Sequence, residues 1–325
     1  GISIYISIAT ISNNLIHNNS VLKTGAGGIN FIGDGEITNN IIANNTAVKG
    51  GAGIYTNTGS TISNNLIVNN SASTAEGSGG IYCKNCDAKI INNTIANNSA
   101  VNGGGVFCVT SSNPVLKNNI MWGNKASAAG NQLYFGDDAS DPVISFCDIQ
   151  GGKAAFGTNA NVFYLGSYTN NLDVVPVFVN PSAGSGSTTN GLSGDWRLMG
   201  NSPCINSGDP NGGPYAATDI IGNTRVLDGI IDMGAYEILI TGIKNATGQM
   251  SFTIYPNPSN GEFNIDATNM KINSIDVYNM IGAHVFSMNS PSKKCTLDFK
   301  KIQKGIYFLN MQINEKRYTE KIVIH

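Results

Sequence analysis

Short, isoleucine-rich apolar runs alternate through the first half of the chain with asparagine pairs and glycine clusters. The pairs Asn13-Asn14, Asn39-Asn40, Asn64-Asn65, Asn92-Asn93 and Asn118-Asn119 each sit in the same frame, apolar-x-Asn-Asn-x-apolar. They recur with a period of about 26 residues, a spacing that signals a solenoid or array. A second asparagine position follows each pair, at Asn18-Asn19, Asn44-Asn45, Asn69-Asn70, Asn97-Asn98 and Gly123-Asn124. Between repeats a glycine cluster opens the next apolar run, as in Gly53-Ile54-Tyr55, Gly80-Ile81-Tyr82 and Gly105-Val106-Phe107.

Helical repeats of this length need long apolar stripes at 3.6-residue spacing and few glycines, so the short runs are predicted as strands. Asparagine tolerates the left-handed backbone of a tight corner and glycine adopts it without steric cost, so a coil can turn several times without a hairpin. Successive coils then lie parallel, about 4.8 Å apart, and asparagine side chains can hydrogen-bond to those above and below. The columns of Asn13, Asn39, Asn64, Asn92 and Asn118 are expected to be such ladders. One coil buries too few side chains to offset the ordering of its backbone, so coils must stack. Residues 1–152 are predicted as coils of a parallel β-helix.

Length and charge narrow the rest. A chain of 325 residues has room for two or three domains. A net charge of −2 with 12% charged residues argues against a nucleic-acid surface and against electrostatic membrane docking. No apolar run is long enough for a transmembrane helix. The chain starts without Met and already reads as strand and repeat, as expected of a fragment or a processed product, the latter leaving room for a removed signal peptide.

Six cysteines permit disulfides without fixing their connectivity. Cys83 and Cys108 occupy the same place in adjacent coils and point inward with Ile81 and Val106, which allows either a bridge or a stack of free thiols. Cys83-x-x-Cys86 lacks a second pair or a nearby His to complete a zinc site, so its role is structural.

Residues 153–238 lose the asparagine period and are predicted as a loop-rich cap on the open end of the helix, covering its unpaired strand edges. The run ends in Asp232-Met233-Gly234-Ala235-Tyr236-Glu237. With this ending, residues 1–238 resemble bacterial surface proteins whose right-handed parallel β-helix is closed by a choice-of-anchor Q tail. That resemblance implies a fold and a surface location but no reaction.

A linker, 239–250, leads into residues 251–325, where alternating apolar residues at Ile275-Asp276-Val277-Tyr278, Ile306-Tyr307-Phe308-Leu309 and Ile322-Val323-Ile324 predict a small immunoglobulin-like β-sandwich. Tyr255-Pro256-Asn257-Pro258 with Gly261, Val277-Tyr278-Asn279-Met280-Ile281-Gly282, Lys304-Gly305-Ile306-Tyr307 and Lys321-Ile322-Val323-Ile324 resemble the type A sorting domain of the Bacteroidota type IX secretion system. The resemblance implies export by that machinery, removal of the domain, and release of the cargo or its attachment to anionic lipopolysaccharide. The terminal His325 departs from it, standing where Lys or Arg is usual.

Chemistry is sparse. There is no Gly-x-Ser-x-Gly elbow and no Walker loop. His17, His284 and His325 fall in different regions and make no metal triad. Many proteins of this fold cleave polysaccharides, and a lyase or hydrolase needs carboxylates, with a base or a calcium ion, converging on one face. The positions before the asparagine frames are Thr10, Glu36, Thr61, Lys89 and Val115, which is not a column of charge. Asp137, Asp138 and Asp141 with Lys153, and Asp209, Asp219, Asp228 and Asp232, are expected to form turns in preference to binding calcium or catalysing. No cofactor is called for. The Asn-x-Ser/Thr triplets at Asn18, Asn44, Asn69 and Asn97 are likewise assigned to turns rather than to glycosylation.

One column is aromatic. If Ile54, Ile81, Val106 and Leu133 point inward, Tyr55, Tyr82, Phe107 and Tyr134 point outward and stack. Such a strip either lies against sugar rings or is covered by the loops between coils. The reading is therefore a secreted or surface-displayed protein, non-enzymatic and binding glycan or a host surface, with a polysaccharide lyase or hydrolase as the alternative.

Overall fold

The computed structural model describes residues 1–160, 162–211, 213, 215–227, 229–238, 253–267, 271–313 and 316–325. The linker 239–250 and Asp228 lie outside them. The chain divides into two compact units, Gly1–Leu239 and Ile240–His325.

The first unit is a right-handed parallel β-solenoid with four faces. Face A stacks seven strands: Ile2–Tyr5, Ile29–Ile32, Ile54–Thr56, Ile81–Lys84, Val106–Val109, Leu133–Phe135 and Gly157–Thr158. Face B stacks seven more, running from Ala9–Ser12 to Tyr168–Thr169, and face C six, running from Leu15–His17 to Asp148–Ile149. Face D pairs the segments Ser20–Ala26, Thr46–Gly51, Ser71–Ala72, Gly77–Ser78, Ser99–Asn102 and Lys125–Ala129. The period places like on like, so that Ile54 lies beside Ile81, Ile81 beside Val106, and Val106 beside Leu133. Alternation sends these side chains inward, where they are fully buried with Ile37, Ile62, Ile90 and Ile144.

The two asparagines of each pair divide two tasks. Asn13, Asn39, Asn64, Asn92 and Asn118 turn the corner with φ of 53–59°. The expected ladder does not run through them. A left-handed corner residue turns its side chain away from the core, and the next residue turns inward. Asn14, Asn40, Asn65, Asn93 and Asn119 form the ladder, in which the backbone N–H and the Nδ2 of each rung donate to Oδ1 of the next at 2.9–3.1 Å. Cys147 takes the following rung, accepting at Sγ from the Asn119 backbone N–H at 3.4 Å. A second ladder runs through Asn19, Asn45, Asn70, Asn98 and Asn124. Beyond their first rungs, Asn14 and Asn19, both ladders are buried, and there a satisfied network is rigid and an unpaired amide is expensive.

The residues assigned to the cap form two stretches. The stretch after Gly152 closes the stack: Phe156 and Tyr164 pack on Phe135 and on each other, and Tyr168 packs on Phe156, with ring centroids 5.0–5.6 Å apart. Residues 176–238 instead run back as a lateral strap over face C. Small side chains on that face, Ala43, Val68 and Ala96, receive Trp196, Ala235 and Tyr236 of the strap. The corner asparagines stitch it down. Asn44 Nδ2 donates to the Ser187 and Thr189 carbonyls, Asn69 Nδ2 to Gly184, and Asn97 Nδ2 to Ser182. Along the other edge, Asn64, Asn92 and Asn118 donate to the carbonyls of Thr218, Asp232 and Asp209. The strap carries carbonyls that no strand partner satisfies, and outward amides are the partners within reach.

The second unit has two antiparallel sheets. One joins Thr253–Tyr255, Glu262–Asp266 and Lys294–Asp298, and the other joins His284–Ser292, Ile272–Asn279, Gly305–Ile313 and Lys316–Ile324. Phe263, Ile275, Val277, Leu297, Phe299, Leu309 and Met311 fill the space between them. This is consistent with the predicted immunoglobulin-like sandwich.

Candidate functional site

The aromatic column exists. Tyr55, Tyr82, Phe107 and Tyr134 project from face A, with successive ring centroids 5.7, 5.0 and 4.7 Å apart. The first pair is stacked, the second tilted and the third edge-on, so the ring faces are largely occupied by one another. Glycines at the corners before three of these strands lie close to the column: Gly50, Gly103 and Gly130 hold positive φ, and a Cβ there would meet the Tyr55 ring and the Cβ atoms of Phe107 and Tyr134. Only 5–9% of each aromatic residue remains exposed. Burial raises the Tyr82 hydroxyl to about 12. The column is a closed spine along the solenoid.

A second aromatic group lies where the strap meets face C. Trp122, Phe178 and Trp196, with Pro181, Asn97 and Lys125, line a cleft of about 210 Å³. Phe178 meets Trp196 edge-on at 5.4 Å, and Trp196 Nε1 donates to the Gly191 carbonyl, which fixes the indole. The half-buried Trp122 stands in register with Ala96, at the place where Ala43 and Val68 occur in earlier coils. The cleft opens beside Gly123, where the outer asparagine column stops. Gly123 turns the same corner with φ 68°, and a Cβ there would lie 2.2 Å from Asn97 Oδ1. Gly123 offers the strap no side-chain amide of the kind that Asn44, Asn69 and Asn97 supply at this corner in earlier coils, and the cleft lies beside it. The chain has two tryptophans and both line this cleft, a signal the sequence carried in Trp122 interrupting a column of small residues.

Of the carboxylates considered for acid–base work, Asp137, Asp141, Asp209, Asp219 and Asp232 are engaged with backbone. Asp137 accepts from the N–H groups of Thr110, Ser111 and Ala139, and Asp141 from that of Leu165. The Lys153 ammonium sits 4.9 Å from the Tyr164 ring centre. In the strap, Asp219 accepts from Ile221, Asn223 and Glu237, and Asp232 from Asn206 and Ile238. Asp209 pairs with Lys117 at 2.7 Å. Arg225 is fully buried, bonded to Glu237 Oε1 at 2.8 Å and to Asn64 Oδ1 at 2.6 Å. Burial holds the Glu237 carboxyl above the usual carboxylate range although Arg225 pulls it down. The Asp232-to-Glu237 ending is thus a knot that ties the strap to the coils.

All six cysteines are free. Cys83 and Cys108 lie in register as a buried stack, and the hydrogen bond with Cys108 is the largest influence raising the Cys83 thiol. Cys204 donates to Asp148 Oδ2 at 3.2 Å, and burial pushes Asp148 up to about 6.

In the second unit, the residues of the Tyr255-to-Pro258 motif latch the last strand. Asn257 Nδ2 donates to the Lys321 carbonyl at 2.8 Å, and its Oδ1 accepts from the Val323 N–H at 3.0 Å. Gly261 (φ 99°) passes within contact of the Lys300 backbone, Gly282 forms the turn after Asn279, and Tyr307 donates to the Gln303 carbonyl. Lys321 is exposed, and Gly305 begins the strand that pairs with the last one.

Comparison with protein families agrees with these two units. Residues 28–184 match the family model described as a right handed beta helix region, and residues 253–325 match that of a secretion system C-terminal sorting domain. No curated protein matches the chain. A type IX sorting domain indicates handling by that secretion machinery and a location in the medium or at the outer-membrane surface. Among the described residues no helix is long and apolar enough to cross a membrane.

Proposed function

We propose that this exported solenoid is a non-enzymatic saccharide-binding or adhesion module, with the Trp122–Trp196 cleft as its ligand site. The observation that carries the reading is a cleft whose half-buried walls are Trp122 and Phe178, backed by the buried Trp196, with no carboxylate in its lining. Aromatic side chains present apolar bodies to the C–H face of a sugar ring, and the lining offers no carboxylate to act as acid, nucleophile or calcium ligand. The Tyr55, Tyr82, Phe107 and Tyr134 column, in this reading, stiffens the solenoid on which the cleft is mounted. After export the sorting domain is removed and the solenoid is released or attached to anionic lipopolysaccharide.

The test is retention of the purified chain on a broad glycan array, with Trp122→Ala beside it. Retention lost in the variant supports the reading, and retention that survives the substitution places binding elsewhere. Release of reducing ends or unsaturated products from any bound polysaccharide would replace it with the lyase or hydrolase alternative.

A further inference from the structure

We propose that the Trp122–Trp196 cleft takes a pyranose carrying an anionic substituent, carboxylate or sulfate, with the Lys125 ammonium on the anion. This rests on the saccharide-binding reading and adds the ligand's charge to it. Lys125 is the charged residue in the lining, and neither Asp nor Glu shares the cleft with it. It is exposed and makes no ion pair among the described residues. Its backbone is fixed at the rim, because its N–H donates to the Asn98 carbonyl at 2.8 Å and it pairs in register with Ser99.

The rim carbonyls of Ser182 and Gly184 already accept from Asn97 and Asn69. Lys125 is therefore the strongest donor that a ligand meets there. An aromatic wall takes the apolar face of the ring, and an uncompensated ammonium beside it selects for negative charge. A volume of about 210 Å³ lies below the range of drug-sized pockets, so the cleft admits one ring rather than a chain threaded through it.

The experiment measures equilibrium binding of the full chain to three short oligosaccharides of equal length: a galacturonate, a sulfated galactan fragment and the neutral galactan fragment. Wild type is expected to bind at least one anionic oligomer about tenfold more tightly than the neutral one, the scale of one charge-assisted hydrogen bond. Lys125→Gln should erase that preference, and Lys125→Arg should keep it. Preference for the galacturonate alone or the sulfated fragment alone supports the proposal and identifies which anion is read. Equal affinity for charged and neutral oligomers, or a preference that survives Lys125→Gln, overturns the charge assignment while the saccharide reading stands. Absence of binding to all three overturns the charge assignment, and an empty glycan array beside it overturns the saccharide reading as well.

Discussion

Asn64 Oδ1 accepts a 2.6 Å hydrogen bond from Arg225 Nη2, joining a coil corner to a strap residue 161 positions later. The same guanidinium reaches Glu237 Oε1 and the Gly234 carbonyl, while its Nε has no partner among the described residues. A buried charge is stable only while its partners remain. Arg225→Met leaves Glu237 buried beside a neutral side chain and should destabilise the first unit by ~3 kcal/mol or more in chemical denaturation. Arg225→Met combined with Glu237→Leu should recover part of that loss. A single variant as stable as wild type would remove the knot from the account of the strap.

Neighbouring asparagines should behave differently. Asn93 accepts from both nitrogens of Asn65 and donates to Asn119 and to the Ile62 and Ile91 carbonyls. Its replacement by Ala orphans a buried donor pair and should cost ~3 kcal/mol or more. Asn92 holds a left-handed corner and one bond to the Asp232 carbonyl. Asn92→Gly keeps the backbone conformation and should cost only ~1 kcal/mol. Thermal or urea unfolding of the two variants compares them directly, and equal losses would contradict the division of tasks.

Asp148 predicts a pH effect of definite sign. Burial lifts its folded carboxyl from 3.8 to about 6, so between these values the unfolded chain loses its proton first. The Asp148 contribution to stability is present below the lower value, is lost as pH rises through the window, and is constant above it. Asp148→Asn lacks this dependence and should gain on wild type by ~3 kcal/mol from pH 3.5 to 7. Parallel stability curves for the two proteins would refute the assignment.

In the sorting domain, Asn257 closes two hydrogen bonds on the last strand. Asn257→Ala should weaken this unit by ~1–2 kcal/mol, seen as faster hydrogen exchange at Val323. In cells the variant is expected to raise the share of cargo left in the periplasm, scored by fractionation. Unchanged exchange and export together would show that the latch is dispensable.

The sequence by itself determined the solenoid, because a parallel stack places each residue against its counterpart one period away and the pattern of Ile, Asn and Gly is therefore the contact map. The sorting domain was equally legible in its local motifs. Even so, which asparagine of each pair turned inward was settled only by the corner geometry: a left-handed residue such as Asn92 points out and lets Asn93 enter the core. Residues 176–238 have no period, so nothing in their order said that they fold back over face C, or that Trp196 and Trp122 would line one cleft beside Gly123. Contacts between an aperiodic strap and a periodic wall depend on shape and on unsatisfied carbonyls, and these come into existence only once the chain has folded.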